Sequence, residues 1–207
     1  MRIIAGEFKG RQILSPVGMT TRPITDRVKS ALFNALFPRL EGSAVADLFC
    51  GTGSMGLEAL SRGARHCCFA DRDASAIQLL RRNIAALGLA GRSTVWEGDI
   101  IQRLPGWLAK LPHKLDVIFL DPPYVLAEGW KDAPESHAAL FNPLAEALAE
   151  GGLVMFRTPR ALEVPATLGK LVLARRKEYG TMALNYLKAP SSEPADPQAG
   201  QDEAAQE

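Results

Sequence analysis

Apolar positions along the chain follow two rhythms. Between residues 44 and 159, short apolar runs alternate with longer stretches whose apolar residues recur every three or four positions. "SAVADLF", "HCCFAD", "STVWEGD", "LDVIFLD" and "LVMFRT" have the length and composition of buried strands. "SMGLEALSRG", "DASAIQLLRRNIAALGL", "IQRLPGWLAK" and "HAALFNPLAEALAEGG" lie between them and read as helices, with glycine stops at Gly63, Gly88 and Gly151. Repeated strand–helix units with near-continuous apolar strands imply a parallel sheet covered by helices on both faces.

The ends of the chain depart from that rhythm. "TDRVKSALFNALF" spaces Val28, Leu32, Ala35 and Leu36 along one helical face, with Thr25 or Asp26 as its cap and Pro38 near its end. The residues around "GEFKG" read as a hairpin of two short strands, followed by the linker "SPVGMTTRP". "LVLARRKEYGTMALNYLK" holds two alternating runs joined at Gly180, a second hairpin with no helix between its strands. The expected division is a basic hairpin and linker over 1–24, one α/β domain over 25–188 and a disordered acidic tail over 189–207.

Composition changes this picture little. The 207 residues are 47% hydrophobic and 23% charged, ordinary for a globular chain. No apolar run is long enough to span a membrane, and the start lacks the continuous apolar stretch of a signal peptide. Three cysteines form neither a disulfide framework nor a zinc spacing, and His66, His113 and His137 share no ligand spacing. The expectation is a cytoplasmic monomer with no metal and no membrane partner.

Charge changes it more. The net charge of +1 conceals five acids and no bases after residue 188, so the rest of the chain carries +6. Residues 1–40 alone carry +5. Such an excess beside an active site suits a polyanion, and Arg2, Lys9, Arg11, Arg22 and Arg27 are the candidate phosphate contacts.

The candidate chemistry sits where strands end, the position at which open parallel sheets bind ligands. After the first core strand, "DLFCGTGSMG" places Gly51, Gly53 and Gly56 in a G-x-G-x-x-G spacing, with Asp71 20 residues beyond Gly51. That spacing also fits a dinucleotide site in an NAD-dependent oxidoreductase. Three acids favour a different ligand. Asp47, just before the loop, would repel a pyrophosphate and attract an ammonium or sulfonium group. Asp71 suits a ribose and Asp99 in "WEGDI" an adenine amine, so Asp47, Phe49, Gly51, Gly53, Asp71 and Asp99 together describe an S-adenosylmethionine site. Asp73 is better placed to cap the following helix.

"FLDPPY" closes the fourth core strand. Asp121 and the carbonyl of Pro122 can each accept one N–H of an exocyclic nucleobase amine. Pro122 and Pro123 fix the backbone and remove competing donors, and Tyr124 can stack on the base. The bland alternative makes these residues a strand terminator and packing. The polar segment "VLAEGWKDAPES", with Trp130, follows as a candidate lid. Read from residues alone, the target remains open between an RNA base and adenine in DNA.

"RPITDRVKSALFNAL", "DLFCGTGSMGLEALSRGA" and "FLDPPY", in this order, resemble the RsmD-type methyltransferases. The resemblance runs from Met1 to Lys188. It implies a class I methyltransferase sheet of seven strands in the order 3-2-1-4-5-7-6, with strand 7 antiparallel. It also implies S-adenosylmethionine as cofactor and the N2 amine of a guanine in small-subunit ribosomal RNA, free or in an assembling subunit, as target. Its cofactor positions fall on Asp47, Gly51, Gly53, Asp71 and Asp99, and its catalytic motif on Asp121, Pro122, Pro123 and Tyr124. Asp71 stands where relatives often carry glutamate.

Overall fold

Each strand–helix repeat becomes one layer-crossing unit of a single sheet. The structure, a computed structural model, describes residues 1–16, 25–129 and 134–190. Its strands are β1 (Ala44–Leu48), β2 (His66–Asp71), β3 (Ser93–Glu97), β4 (Leu115–Leu120), β5 (Leu148–Pro159), β6 (Thr167–Leu168), β7 (Leu171–Tyr179) and β8 (Met182–Lys188). They lie in the order β3-β2-β1-β4-β5-β8-β7-β6. The first five are parallel, and β8 runs antiparallel to β5 and β7.

The terminal hairpin therefore supplies the 7-6 end of the expected order, and the strand count rises from seven to eight. The extra strand is β6, a two-residue edge pairing with Thr167↔Val172 and Leu168↔Leu171. A strand that short carries no alternation to read. A second difference lies in β5, which begins at Leu148 and takes Gly151 and Gly152 into the strand. Its pairing with β4 jumps from Leu115↔Leu148 to Val117↔Leu153. Gly151 at φ 70 permits the irregularity.

Helices α1 (Asp26–Leu36), α2 (Ser54–Ser61) and α3 (Ala74–Ala86) contribute to the core on one face of the sheet, and α4 (Ile100–Leu108) and α6 (Pro134–Ala147) to that on the other. Strand β4 shows why its run from Val117 to Leu120 is apolar throughout. Val117 and Phe119 join Phe33, Leu57 and Leu60 on one side, while Ile118 and Leu120 join Phe141, Leu144 and Phe156 on the other. Among the described residues, no helix is long and apolar enough to cross a membrane.

Two expectations near the start need correction. The hairpin around "GEFKG" reduces to one isolated bridge, Arg2↔Gln12, supported by Ile3 N–H donating to the Arg11 carbonyl at 3.0 Å and Ile13 N–H to Met1 at 2.8 Å. The loop between bonds to α2 instead, where Glu7 N–H donates to the Ser61 carbonyl at 2.7 Å. The buried stripe of α1 is Lys29, Leu32, Phe33 and Leu36, and Ala35 is exposed. The stripe is rotated because a charged residue is drawn inward.

Its partner is Glu58, fully buried in α2. The Glu58 carboxylate accepts from Lys29 Nζ at 3.0 Å and Arg62 Nε at 2.8 Å. It also accepts from the backbone N–H groups of Ile4 and Ala5 at 2.8 and 3.0 Å. One carboxylate thus ties the N-terminal segment, α1 and α2 together. Burial lowers the Lys29 pKa while the Glu58 charge opposes that shift. Removing the acid would strand a buried cation. Glu58→Ala should cost about 3–5 kcal/mol of unfolding free energy in urea titration. The double variant Glu58→Ala, Lys29→Met should recover part of that loss. No recovery would contradict an ionic centre at this point.

Candidate active site

The parallel register brings four neighbouring strands level at the point where β1 and β4 end. Leu48 pairs with both Ala70 and Leu120, and Leu120 pairs with Phe156. The next residues, Asp71, Phe49, Asp121 and Arg157, therefore stand side by side across β2, β1, β4 and β5. Asp121 N–H donates to the Leu48 carbonyl at 3.2 Å, and Cys50 N–H to Ala70 at 3.0 Å, continuing the ladder past the last paired residues. Phe49 leaves the strand at φ 61, a left-handed conformation uncommon for a bulky residue. Such strain persists where the surroundings impose it, and it concentrates at functional sites.

The glycines that follow have different duties. A Cβ on Gly53 would meet Leu80 at 2.4 Å, and one on Gly56 would meet the Phe69 ring at 2.3 Å. These two allow α2 to approach β2 and α3. Gly51 faces open space, with no heavy atom within 4 Å of a Cβ built there. Its N–H donates to Asp71 Oδ2 at 2.7 Å. The loop thus presents one bare backbone position between Phe49 and Asp71, a cradle of the kind a nucleotide ligand requires.

Asp47 lies beneath that cradle. It is 1% exposed, and its Oδ2 accepts from Gly56 N–H at 2.8 Å, holding the first turn of α2. Burial pushes its pKa up to about 7, the charges of Asp121 and Asp71 adding to the rise and the Gly56 bond opposing it. Asp99 caps α4, accepting from Gln102 N–H at 3.2 Å, and is half-buried just past the end of β3. Asp73 caps α3 through Ser75 and Ala76.

On the other side of β1, Pro122 is buried and Tyr124 is 37% exposed at the start of α5 (Tyr124–Gly129). The Pro123 carbonyl accepts from Leu126 and Ala127 inside that helix. Asp121 is raised by burial and opposed by Arg157, whose Nε donates to Asp121 Oδ1 at 2.5 Å. The Arg157 guanidinium also lies 5.9 Å from the centre of the Tyr124 ring. Arg157 is the residue that sequence reasoning missed. Its one signal is a cation inside "LVMFRT", a run otherwise read as a buried strand.

Of the basic residues, Arg2 is exposed and pairs with Asp26 at 2.9 Å, and Arg11 donates to the Ala86 carbonyl at 3.2 Å. Arg2, Lys9 and Arg27 line one groove with Ser30. Arg22 and Trp130, with most of the linker and most of the acidic tail, lie outside the described residues, while the segment expected as a lid begins as α5. Trp96 and Trp107 stack on each other with centroids 5.5 Å apart. Among the described residues, no group of three His, Cys, Asp or Glu side chains is arranged to hold a metal.

Comparison with known proteins adds a lineage to this geometry. The family model described as "Conserved hypothetical protein 95" matches residues 1–188. YlbH of Bacillus subtilis, whose name assigns it provisionally to the rRNA methyltransferases, is 39% identical over 190 residues, covering 91% of this chain and 98% of its own. "Ribosomal RNA small subunit methyltransferase D" of Escherichia coli is 36% identical over 124 residues, 60% of each chain. Among solved structures, TTHA0928 of Thermus thermophilus aligns with a TM-score of 0.73 at 29% identity, covering 91% of this chain and 99% of that one.

The buried Asp47 generates a pH-dependent expectation. Folded Asp47 keeps its proton up to about pH 7, whereas the unfolded carboxyl releases it near 3.8. In that window the unfolded chain binds fewer protons, so this group makes stability fall as pH rises and adds no further loss above it. Asp47→Asn retains an acceptor for Gly56 without the titration. Without ligand, it should melt higher than the parent by about 2 °C or more at neutral to alkaline pH and converge with it at acidic pH. A variant that melts lower throughout would show that the Asp47 charge is stabilising.

Proposed function

The chain belongs to the family described as Conserved hypothetical protein 95, the RsmD-type methyltransferases, and from that premise we propose that it methylates the N2 amine of a guanine in small-subunit ribosomal RNA. The cofactor is S-adenosylmethionine, which supplies an electrophilic methyl group on a positively charged sulfur. The observation that carries this reading is the row Asp71, Phe49, Asp121, aligned by strand register around the open face of Gly51.

The residues present fit that cofactor. Gly51 and Gly53 shape the loop, Phe49 flanks it, Asp71 is placed for a ribose and Asp99 for an adenine amine. Asp47 is buried and acts through the loop that it holds by accepting from Gly56. On the substrate side, Asp121 and the Pro122 carbonyl accept the two hydrogens of the amine. The Pro123 carbonyl already serves α5. Holding both hydrogens fixes the nitrogen and favours its pyramidal, nucleophilic form as positive charge develops. Asp121 or water then takes the proton that the methylated nitrogen releases. Tyr124, exposed beside Asp121, stacks on the flipped base.

The guanine N2 and adenine N6 amines each offer two N–H donors beside a ring acceptor, N3 or N1, so the acceptor pair serves either, and guanine is assigned here from the family. Arg2, Lys9, Arg11 and Arg27 are assigned to phosphates, with Arg22 added on charge alone. Residues 25–188 form the catalytic domain in this reading, acting as a monomer on rRNA or an assembling subunit in the cytoplasm.

Labelled cofactor incubated with small-subunit rRNA tests the reading. The parent chain should transfer label to rRNA and not to plasmid DNA. Asp121→Ala should lower turnover by about 100-fold or more while S-adenosylhomocysteine affinity is retained. An equal loss of affinity would make Asp121 a structural residue, and label in DNA alone would contradict the assignment of target.

A further inference from the structure

The mechanism above uses Asp121 as an acceptor, yet the structure surrounds that carboxyl with conditions that work against its charge. Burial raises its pKa, and its side chain keeps only 22% of its surface open to solvent. A protonated Asp121 would present a hydroxyl toward the amine, or a rotated oxygen, and hold the nitrogen poorly. Something must keep the group ionised and facing one way.

Arg157 meets both needs. The pairing Leu120↔Phe156 seats it on the strand next to Asp121, and Val154↔Leu187 through Pro159↔Met182 holds its strand on the far side. The side chain is only 12% exposed. Its Nε donates to Oδ1 at 2.5 Å, a charge-assisted bond from a group that does not lose its proton. That contact occupies one carboxylate oxygen and so leaves Oδ2 to accept from a substrate amine. The same guanidinium stands 5.9 Å from the centre of the Tyr124 ring, within reach of a cation–π contact that steadies the ring on which a base would stack.

We propose that Arg157 is a positioning residue for methyl transfer, locking Asp121 with one oxygen free for the amine and fixing Tyr124 as the stacking surface. The proposal rests on the assignment of Asp121 as the amine acceptor. Arg157 touches neither the methyl group nor the amine in this arrangement and acts through its two neighbours.

The test compares the parent chain with Arg157→Gln, Arg157→Lys and Asp121→Ala, using labelled cofactor and small-subunit rRNA across a pH series. Arg157→Gln should lower kcat by about 100-fold, the cost of a misplaced reacting group, with S-adenosylhomocysteine affinity unchanged. The acidic limb of its pH–rate profile should move up by about one unit or more, because the cation that favours the ionised carboxyl is gone. Arg157→Lys keeps the charge but loses the flat Nε–H geometry, so it should restore the position of the limb more fully than kcat.

Parent-like kcat and profile in Arg157→Gln, beside an inactive Asp121→Ala, would overturn this inference and leave the functional reading standing. Activity lost with an unmoved limb and a lowered melting temperature would reduce Arg157 to a structural residue and overturn it as well. Full turnover in Asp121→Ala, or none in the parent chain, would overturn both readings together.

Discussion

Everything at the candidate site depends on a parallel register that brings four strands level where β1 and β4 end. Strands β2, β1, β4 and β5 are locked to one another by Leu48↔Ala70, Leu48↔Leu120 and Leu120↔Phe156. Their next residues have no choice but to stand in a row. Slipping any of these strands by one residue would exchange the side chains packed into the two cores, so the shapes of both cores enforce the alignment. Burial inside the sheet is therefore what places Asp71, Asp121 and Arg157 within one site.

A second constraint joins that site to the basic start of the chain. Helix α2 begins at the glycine loop and carries Glu58 on its buried side. Through Glu58 it holds the backbone of Ile4 and Ala5, and through Ser61 that of Glu7 and Phe8. The helix that supports the cofactor cradle is the same one that docks the segment assigned to phosphate contact. In the proposed reading, cofactor and nucleic acid are served from opposite ends of one eight-residue element.

Much of this was legible in advance because strong periodicities survive in the chain. The five parallel strands, the terminal hairpin and the helices stopped at Gly63 and Gly88 follow from apolar runs and stops that local physics makes hard to misread, whereas the stop expected at Gly151 falls inside β5. What stayed hidden depended on long-range pairing. Lys29 is only one more base in the charge of residues 1–40 when read alone, and its buried partner Glu58 lies 29 residues away. Arg157 drew no notice because its meaning comes from Asp121 on a neighbouring strand. The three glycines looked equivalent in spacing, and only packing against Leu80 and Phe69 separates Gly53 and Gly56 from the open Gly51. Strand β6 was too short to announce itself.

The account stands or falls on whether the acceptor edge formed by Asp121 and Pro122 receives a guanine amine. Nucleoside mass mapping of small-subunit rRNA from cells with and without this chain measures that directly. The account predicts that one N2-methylguanosine disappears with the chain and returns on complementation. Loss of a methylated adenine instead, or an unchanged map, would contradict it.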